Sequence, residues 1–411
     1  MTNIYVVGVG MTSFGKYLNR SIKEMTNIVV NDALGDAKAG LEDIEVAYFA
    51  NAAQSVLEGQ ATIPGEIALR SMGIESIPVI NVENACASAS TALDMASTWL
   101  KAGRGGVALA IGVEKMFHED REKMFSVFDG GWDVHNSKAA SALLLELGAG
   151  IDDPEGSHDS GERSIFMDVY AALAKYHMKT YGTSYEQIAA VASKNHYHSQ
   201  YNPLSQYRNP ISVEEVMSAR KISWPLTLPM CSPISDGAAA AILCREEDLG
   251  RFDQTRAIKL ETTVLRTGSD RKPEQADKHV THLAAMQAYE ETGFEPSDMD
   301  VAEVHDATAF AEIQQIENLG FCDFGEGGPM TLSGATTLGG SIPVNPSGGL
   351  ESKGHPVGAT GLAQIYELVL QLRGEAGKRQ VEDAKIAIAE NGGGFHGIEE
   401  AVACLSILSR Q

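Results

Sequence analysis

Cys86 is the residue of this sequence best placed to be a nucleophile. It stands in Glu83-Asn84-Ala85-Cys86-Ala87-Ser88, after a short β-branched run, Ile77 to Val82, and before apolar positions at Ala89, Leu93, Ala96 and Leu100. The run reads as a buried strand and the spacing as a helix. A thiol at a helix start meets unpaired N–H groups and the positive end of the dipole, which favour a thiolate. The same position also suits a free cysteine packed as a small hydrophobe. Three further stretches carry chemical side chains in expected loops: Glu303 to Thr308 with His305 and Asp306, Asn345 to Pro356 with His355, and Glu390-Asn391-Gly392-Gly393-Gly394. A cysteine with histidines elsewhere in the chain is the layout of thiol nucleophilic catalysis. Glycines at such turns let backbone N–H groups approach an oxyanion.

The elements that must position these groups alternate between strand and helix. Residues 1 to 119 read as β-α-β-α-β, which implies a mostly parallel sheet covered on both faces. Residues 120–224 change character. The aromatic segment Phe117 to Trp132 is loop-like, and Ile165 to Tyr181 and Tyr185 to Tyr197 are helical, so this range reads as an inserted, mostly helical lid. Its aromatics either form the lid's own core or line a pocket. Residues 225–250 return to the sheet, with Ala238 to Cys244 as a buried strand and Cys231 and Cys244 structural. From 251 to 411 a second alternation runs parallel to the first. Cys86 and His355 each precede a small-residue helix, a Gly turn and a strand, which suggests a duplication that brings two helix starts to one cleft.

Composition narrows the function classes. The 411 residues, 44% hydrophobic and 21% charged, suit a globular protein of more than one unit. The 32 basic and 55 acidic residues leave a net charge of −23. That opposes nucleic acid and anionic membranes and favours a basic protein partner. The five cysteines show neither CxxC nor zinc spacing, so one reactive thiol among inert ones is expected, with no metal. The first residues read as the start of a strand rather than a targeting peptide, and a cytoplasmic location is expected.

Taken together, five motifs carry a resemblance to a known family. They are Asn84-Ala85-Cys86-Ala87-Ser88, Ser235-Asp236-Gly237-Ala238-Ala239, His305-Asp306, Asn345-Pro346-Ser347-Gly348-Gly349, and Gly354-His355-Pro356-Val357-Gly358-Ala359-Thr360-Gly361. The chain resembles the thiolase superfamily, in its sterol-carrier-protein-2-type (lipid-transfer-protein) branch, over nearly its whole length. The resemblance implies an α/β thiolase fold of two duplicated βαβαβαββ halves in five α-β-α-β-α layers, a homodimer, and coenzyme A as substrate with no permanently bound cofactor. It implies Cys86 as the acylated nucleophile, His355 as its base, and His305 with His355 around the substrate's thioester oxygen. The N–H groups of Cys86 and of a glycine among Gly392, Gly393 and Gly394 then stabilise the tetrahedral intermediate. Lys194, Arg208, Arg220 and Lys221 either meet CoA phosphates or are solvated surface charges.

The sequence departs from the family where a second, acid/base cysteine is usual: Ala307 and Glu390 stand there instead. Glu390, its pKa raised by burial, is one candidate for that acid/base; the other reading has it hydrogen-bonding the loop or pairing with a cation. The expected activity is thiolytic cleavage of a 3-oxoacyl-CoA, with an aromatic substrate such as benzoylsuccinyl-CoA suggested by the lid. The alternatives are aldol cleavage of a 3-hydroxyacyl-CoA and acyl-CoA binding without turnover. Relatives without the second cysteine point to a small zinc-ribbon/OB-fold partner of the DUF35 type.

Overall fold

The structure is a computed structural model that describes residues 2–157 and 164–410. Its strands are β1 (Ile4–Met11), β2 (Val46–Ala50), β3 (Val79–Val82), β4 (Val107–Glu114), β5 (Lys221–Ser223), β6 (Leu226–Thr227), β7 (Gly237–Arg245), β8 (Ile258–Thr267), β9 (Val301–Glu303), β10 (Ile386–His396) and β11 (Glu399–Arg410). Nine of them form one sheet in the order β3-β2-β4-β7-β1-β8-β11-β10-β9, and β5 and β6 make a separate ribbon. The two halves meet where β1 pairs with β8 over only three residues.

The sheet is mixed, not mostly parallel as the strand–helix alternation implies. Only β2–β3, β2–β4 and β9–β10 are parallel; the five remaining neighbours in the sheet run antiparallel. Helical crossovers make the parallel pairs. The β10–β11 hairpin and the return of the chain at β7 make antiparallel ones. The Ile77 to Val82 run is also not a buried strand. It forms β3 from Val79, at the edge of the sheet, with Asn81 exposed. Its β-branched residues are there for one neighbour, not two.

Alternation along each strand sends side chains to two faces, and helices cover both. One face of the N-terminal half packs on the helices Ile22–Ala37 and Pro64–Arg70. The matching face of the C-terminal half packs on Val280–Thr292 and Ala309–Asn318. Between the halves lie the helices Ser88–Lys101 and Thr360–Arg373, sharing one core with strands from both. The layers are therefore α-β-α-β-α. The central helices approach very closely: a Cβ on Gly361 would lie 1.9 Å from Ser90 Oγ and 2.8 Å from its backbone N. Their first turns sit together, so the segments just upstream, with Cys86 and His355, do too.

Between β4 and β7 the described residues carry helices Arg121–Ser126, Ser137–Glu146, Ile165–Tyr181, Tyr185–Ser199 and Val213–Ser218. They share a core with the Ala309–Asn318 helix and Phe395. Among the described residues no helix is long and apolar enough to cross a membrane.

Gly361→Val is expected to push the central helices apart and destabilise the fold by about 1–3 kcal/mol, the usual cost of overpacking. A urea titration reads this as a lower midpoint. An unchanged midpoint would mean that the close crossing carries no packing energy.

Candidate active site

The turn that carries Cys86 is built by local hydrogen bonds. Ala85 takes a left-handed backbone, φ +48°. Asn84 N–H donates to Ser88 Oγ at 2.8 Å, Ser88 Oγ donates to Ala85 O at 2.6 Å, and Ala85 N–H donates to Glu83 Oε1 at 2.7 Å. The helix itself begins at Ser88, so Cys86 precedes it by two residues rather than occupying its first turn. Strand β10 lies directly against this turn. A Cβ on Gly393 would fall 2.6 Å from Asn84 O and 2.9 Å from Ala87 N. The last glycine-rich segment, expected as a loop, is thus part of a strand: Gly392 pairs with Ala403 and Gly393 with Val402. Missing side chains there serve close approach. Gly394 turns its N–H onto the Cys86 sulfur, beside the N–H of Cys86 itself.

His355 is held from both sides. Its N–H donates to Ser235 Oγ at 3.0 Å, and its Nδ1 lies 2.7 Å from Thr360 Oγ1. Thr360 Oγ1 gives its own proton to Pro356 O at 3.1 Å. Nδ1 therefore donates to the threonine, and the lone pair is on Nε2. The preceding loop is clamped by buried carboxylates. Asp306 Oδ1 accepts from Leu350 N at 2.7 Å, and Glu303 binds Ser347 N, Ser347 Oγ and Lys353 Nζ at 3.0, 2.7 and 3.0 Å. Gly349 allows this clamp, since a Cβ there would lie 2.1 Å from Asp306 Oδ2.

Cys86 Sγ and a ring nitrogen each of His305 and His355 lie within 4.8 Å of one another. The two imidazoles are 5.2 Å apart at 67°. A thiophilic cation would also fit between these three donors. His305 is buried, and neither ring nitrogen has a partner. Its backbone N–H donates to Glu390 Oε2 at 2.9 Å. Burial sets the charge states. It pushes the Cys86 thiol up to about 12, against the Gly394 N–H and with help from Glu114. It lowers His305 to about 4, and holds His355 well below the usual imidazole range, aided by His305 and Lys353. The resting pair is a neutral thiol beside neutral imidazoles, not the thiolate that a helix start alone favours; desolvation outweighs the dipole.

A cavity of about 1180 Å³ opens onto this cluster. Phe128, Phe166, Tyr170 and Phe395 are on its wall, and Trp132 stacks on Phe166 at 4.9 Å. The lid aromatics thus do both things the sequence left open. Glu390 is not among the wall residues. Burial raises its carboxyl to about 8, against the His305 N–H and the Thr281 hydroxyl, which favour the charged form. Of the four basic residues weighed for phosphate contacts, Lys194 is buried and paired with Glu312 at 2.6 Å, which removes it, while Arg220 is on the cavity wall. Cys231, read as structural, is on the wall as well.

Sequence reasoning missed two carboxylates. Glu114 ends β4 and accepts from Ala52 N, Ala53 N and Gly358 N at 2.9, 3.1 and 2.9 Å, tying three segments beside Cys86. A charge closing an apolar strand was the available signal. Glu400 is on the wall with His279 Nε2 at 3.3 Å; burial would raise it, but the His279 bond and charge hold it at about 2. Only the absence of a Cβ on Gly392, 2.9 Å from Glu400 Cγ, makes room for it.

With the thiol pKa near 12, the thiolate fraction grows with pH across the whole accessible range. Iodoacetamide labelling of Cys86, followed by peptide mass, is expected to accelerate about tenfold per pH unit from pH 7 to 10. A rate that is flat below pH 8 would instead reveal a preformed thiolate–imidazolium pair.

Two family models match the chain: "Thiolase, N-terminal domain" over residues 4–223 and "Thiolase C-terminal domain-like" over 267–407. The chain is 37% identical to sterol carrier protein 2 of Oryctolagus cuniculus, over 95% of this chain and 70% of that protein. It is 36% identical to an acetyl-CoA acetyltransferase of Methanothermobacter thermautotrophicus, over 100% of both. It is 32% identical to benzoylsuccinyl-CoA thiolase subunit BbsB of Thauera aromatica, over 95% of this chain and 94% of that one. Among solved structures, the Ltp2-ChsH2(DUF35) aldolase superposes with a TM-score of 0.77 at 23% identity, covering 99% and 98% of the two chains. Human mitochondrial 3-ketoacyl-CoA thiolase gives 0.71 at 17%, covering 100% and 99%. The chain belongs to the thiolase family, as an acyltransferase of its sterol-carrier-protein-2-type branch.

Proposed function

We propose that this protein cleaves a 3-oxoacyl-CoA by thiolysis through an acyl-Cys86 intermediate. The observation that carries this reading is the meeting of Cys86 Sγ with His305 and His355 within 4.8 Å, on the wall of one large cavity. His355 Nε2 takes the thiol proton as sulfur attacks the 3-keto carbon. The N–H groups of Cys86 and Gly394 hold the developing oxyanion. The C2–C3 bond breaks, and the electron pair passes to the thioester enolate, whose oxygen His305 binds. His355 returns its proton to C2, releasing the first acyl-CoA. It then takes the thiol proton of incoming CoA, whose sulfur displaces Cys86 from the acyl group. The proton on His355 finally restores the Cys86 thiol, so one base balances both halves.

In this scheme Glu390 positions His305 through its backbone N–H rather than serving as the second acid/base. Its location off the cavity wall supports that role. Coenzyme A is a substrate, and the reaction needs no resident cofactor or metal. The aromatic wall supports a bulky or aromatic acyl group, of the kind named for the benzoylsuccinyl-CoA thiolase relative. The halves at 1–119 with 225–250 and at 251–411, with a lid over 120–224, are the working units. A homodimer, a cytoplasmic location and a DUF35-type partner complete the reading. The DUF35 component of the solved aldolase and the subunit status of the Thauera relative support the partner.

Incubation with a panel of 3-oxoacyl-CoAs is expected to add one acyl mass to the intact protein. The adduct should disappear on adding CoA and be absent in Cys86→Ala. If no adduct forms, alone or with a co-purified small partner, the acyl-enzyme scheme fails and aldol cleavage of 3-hydroxyacyl-CoAs takes its place. Glu390→Gln retains an acceptor for the His305 N–H and should keep turnover within about tenfold of the parent. Glu390→Ala orphans that N–H, and should cost about 10- to 100-fold, from the 1–3 kcal/mol of an unmet buried donor. A Gln variant as inactive as the Ala variant would make Glu390 the proton donor after all.

A further inference from the structure

Cys86, His305 and His355 turn three nitrogen and sulfur donors toward one point. Cys86 Sγ and one ring nitrogen of each histidine lie within 4.8 Å of one another, and all three residues are on the cavity wall. Zinc held by sulfur at about 2.3 Å and by nitrogen at about 2.0–2.1 Å spaces such donors about 3.4–3.6 Å apart. The cluster therefore closes into a metal shell when any two donors approach by at most about 1.4 Å, a matter of side-chain rotation. His305 is 2% exposed and neither of its ring nitrogens has a protein partner, which is costly for a buried imidazole unless a ligand meets it. His355 is oriented as metal-binding histidines are. Its Nδ1 is engaged by Thr360 Oγ1 at 2.7 Å, which leaves Nε2 as the donor.

The charges around the cluster suit a cation. Glu83 and Glu114 act on the Cys86 sulfur and Glu400 acts on His305, and Glu83 and Glu400 are themselves on the wall. Lys353 acts on His355, but it is paired with Glu303 at 3.0 Å. A thiolate with two imidazoles selects ions of the zinc kind, whereas magnesium and calcium prefer oxygen. The three residues stand 50 to 269 positions apart in the chain, so no local spacing announces the site.

We infer that this cluster is a binding site for a thiophilic divalent cation of the zinc class, and that the bound ion holds the protein inactive. The Cys86 S–H bond breaks as the sulfur–metal bond forms, and the proton leaves to solvent. Each imidazole donates one lone pair, and nothing is oxidised or reduced. The fourth tetrahedral position opens on the cavity and takes a water. The ion occupies the sulfur and the ring nitrogens that thiolysis uses, so it competes with acylation of Cys86. Binding of the ion stands on the donor geometry; only the inhibition rests on the thiolysis reading.

Cobalt(II) reports the site without turnover. Titrated into the full-length protein after thiol reductants are removed, it is expected to raise the intense visible bands of tetrahedral cobalt and a near-ultraviolet thiolate-to-cobalt charge-transfer band. Both should saturate at one ion per chain and release one proton per ion. Zinc should erase both bands and slow iodoacetamide labelling of Cys86 at least about tenfold, because the sulfur lone pair is taken. Cys86→Ala should lose the charge-transfer band, and His305→Ala should weaken cobalt binding at least about tenfold. Zinc should also stop thiolysis, and EDTA should restore it. Cobalt bound with no charge-transfer band, or with one that survives Cys86→Ala, marks an adventitious ion only, on surface carboxylates, and overturns the site. Unchanged affinity in His305→Ala, or an unchanged labelling rate with zinc, overturns it as well. The labelling uses the parent protein, so it decides even if neither variant folds. Thiolysis that continues at saturating zinc overturns the inhibition. The cobalt spectrum without any acyl adduct from 3-oxoacyl-CoAs fails the thiolase reading and leaves the metal site standing.

Discussion

The close crossing of the two central helices is the constraint on which the rest depends. Ser88–Lys101 and Thr360–Arg373 come from different halves of the chain, and they touch where Gly361 leaves room for Ser90. No larger residue fits without moving backbone. Because the crossing is at their first turns, it fixes the two segments just upstream, and these carry Cys86 and His355. Two side chains 269 positions apart, Cys86 and His355, are thereby brought together by helix packing. The sheets enforce it from outside, since each helix shares one core with strands of both halves.

Buried carboxylates do the finer positioning. Glu114 gathers Ala52, Ala53 and Gly358; Asp236 accepts from the N–H groups of Tyr17, Met116 and Phe117, each at 2.7 Å; Glu303 and Asp306 rivet the loop before His355. Each trades the cost of desolvation for hydrogen-bond donors of the surrounding segments. These rivets allow long irregular loops to stay rigid inside the protein, where water cannot satisfy their peptides. The same desolvation keeps Cys86 and its histidines neutral. The Cys86–His305–His355 cluster itself holds no ion pair.

Much of this was legible in the sequence, and the failures have physical causes. The helix Ile165–Tyr181 was readable within its bounds, and it ends at a left-handed glycine, Gly182. That Cys86, His305 and His355 gather in one place was legible, because motifs at strand and helix ends mark them. Strand direction was not readable, since alternation fixes the crossovers but not where the chain re-enters the sheet at β7. The 390–394 segment misled because three glycines in a row imply a loop. In the fold they are a strand stripped of side chains so that another backbone can lie on it. The protonation state of Cys86 was invisible too: a helix start argues one way locally, and only the packed environment supplies the opposing desolvation.

The lid is stitched to that bare strand. Phe395 N–H donates to Gly131 O at 2.8 Å, one residue beyond the Gly394 N–H that faces the Cys86 sulfur. The carbonyl end of this bond belongs to the cavity wall; the amide end belongs to the peptide run that, in the proposed reaction, steadies the reacting carbonyl. Admission and chemistry are consequently mechanical neighbours. A lid exchanged for that of another protein to change which substrates enter would carry its own strain into the oxyanion geometry. Selectivity and turnover in this scaffold must therefore be re-engineered jointly, as one inherited trait.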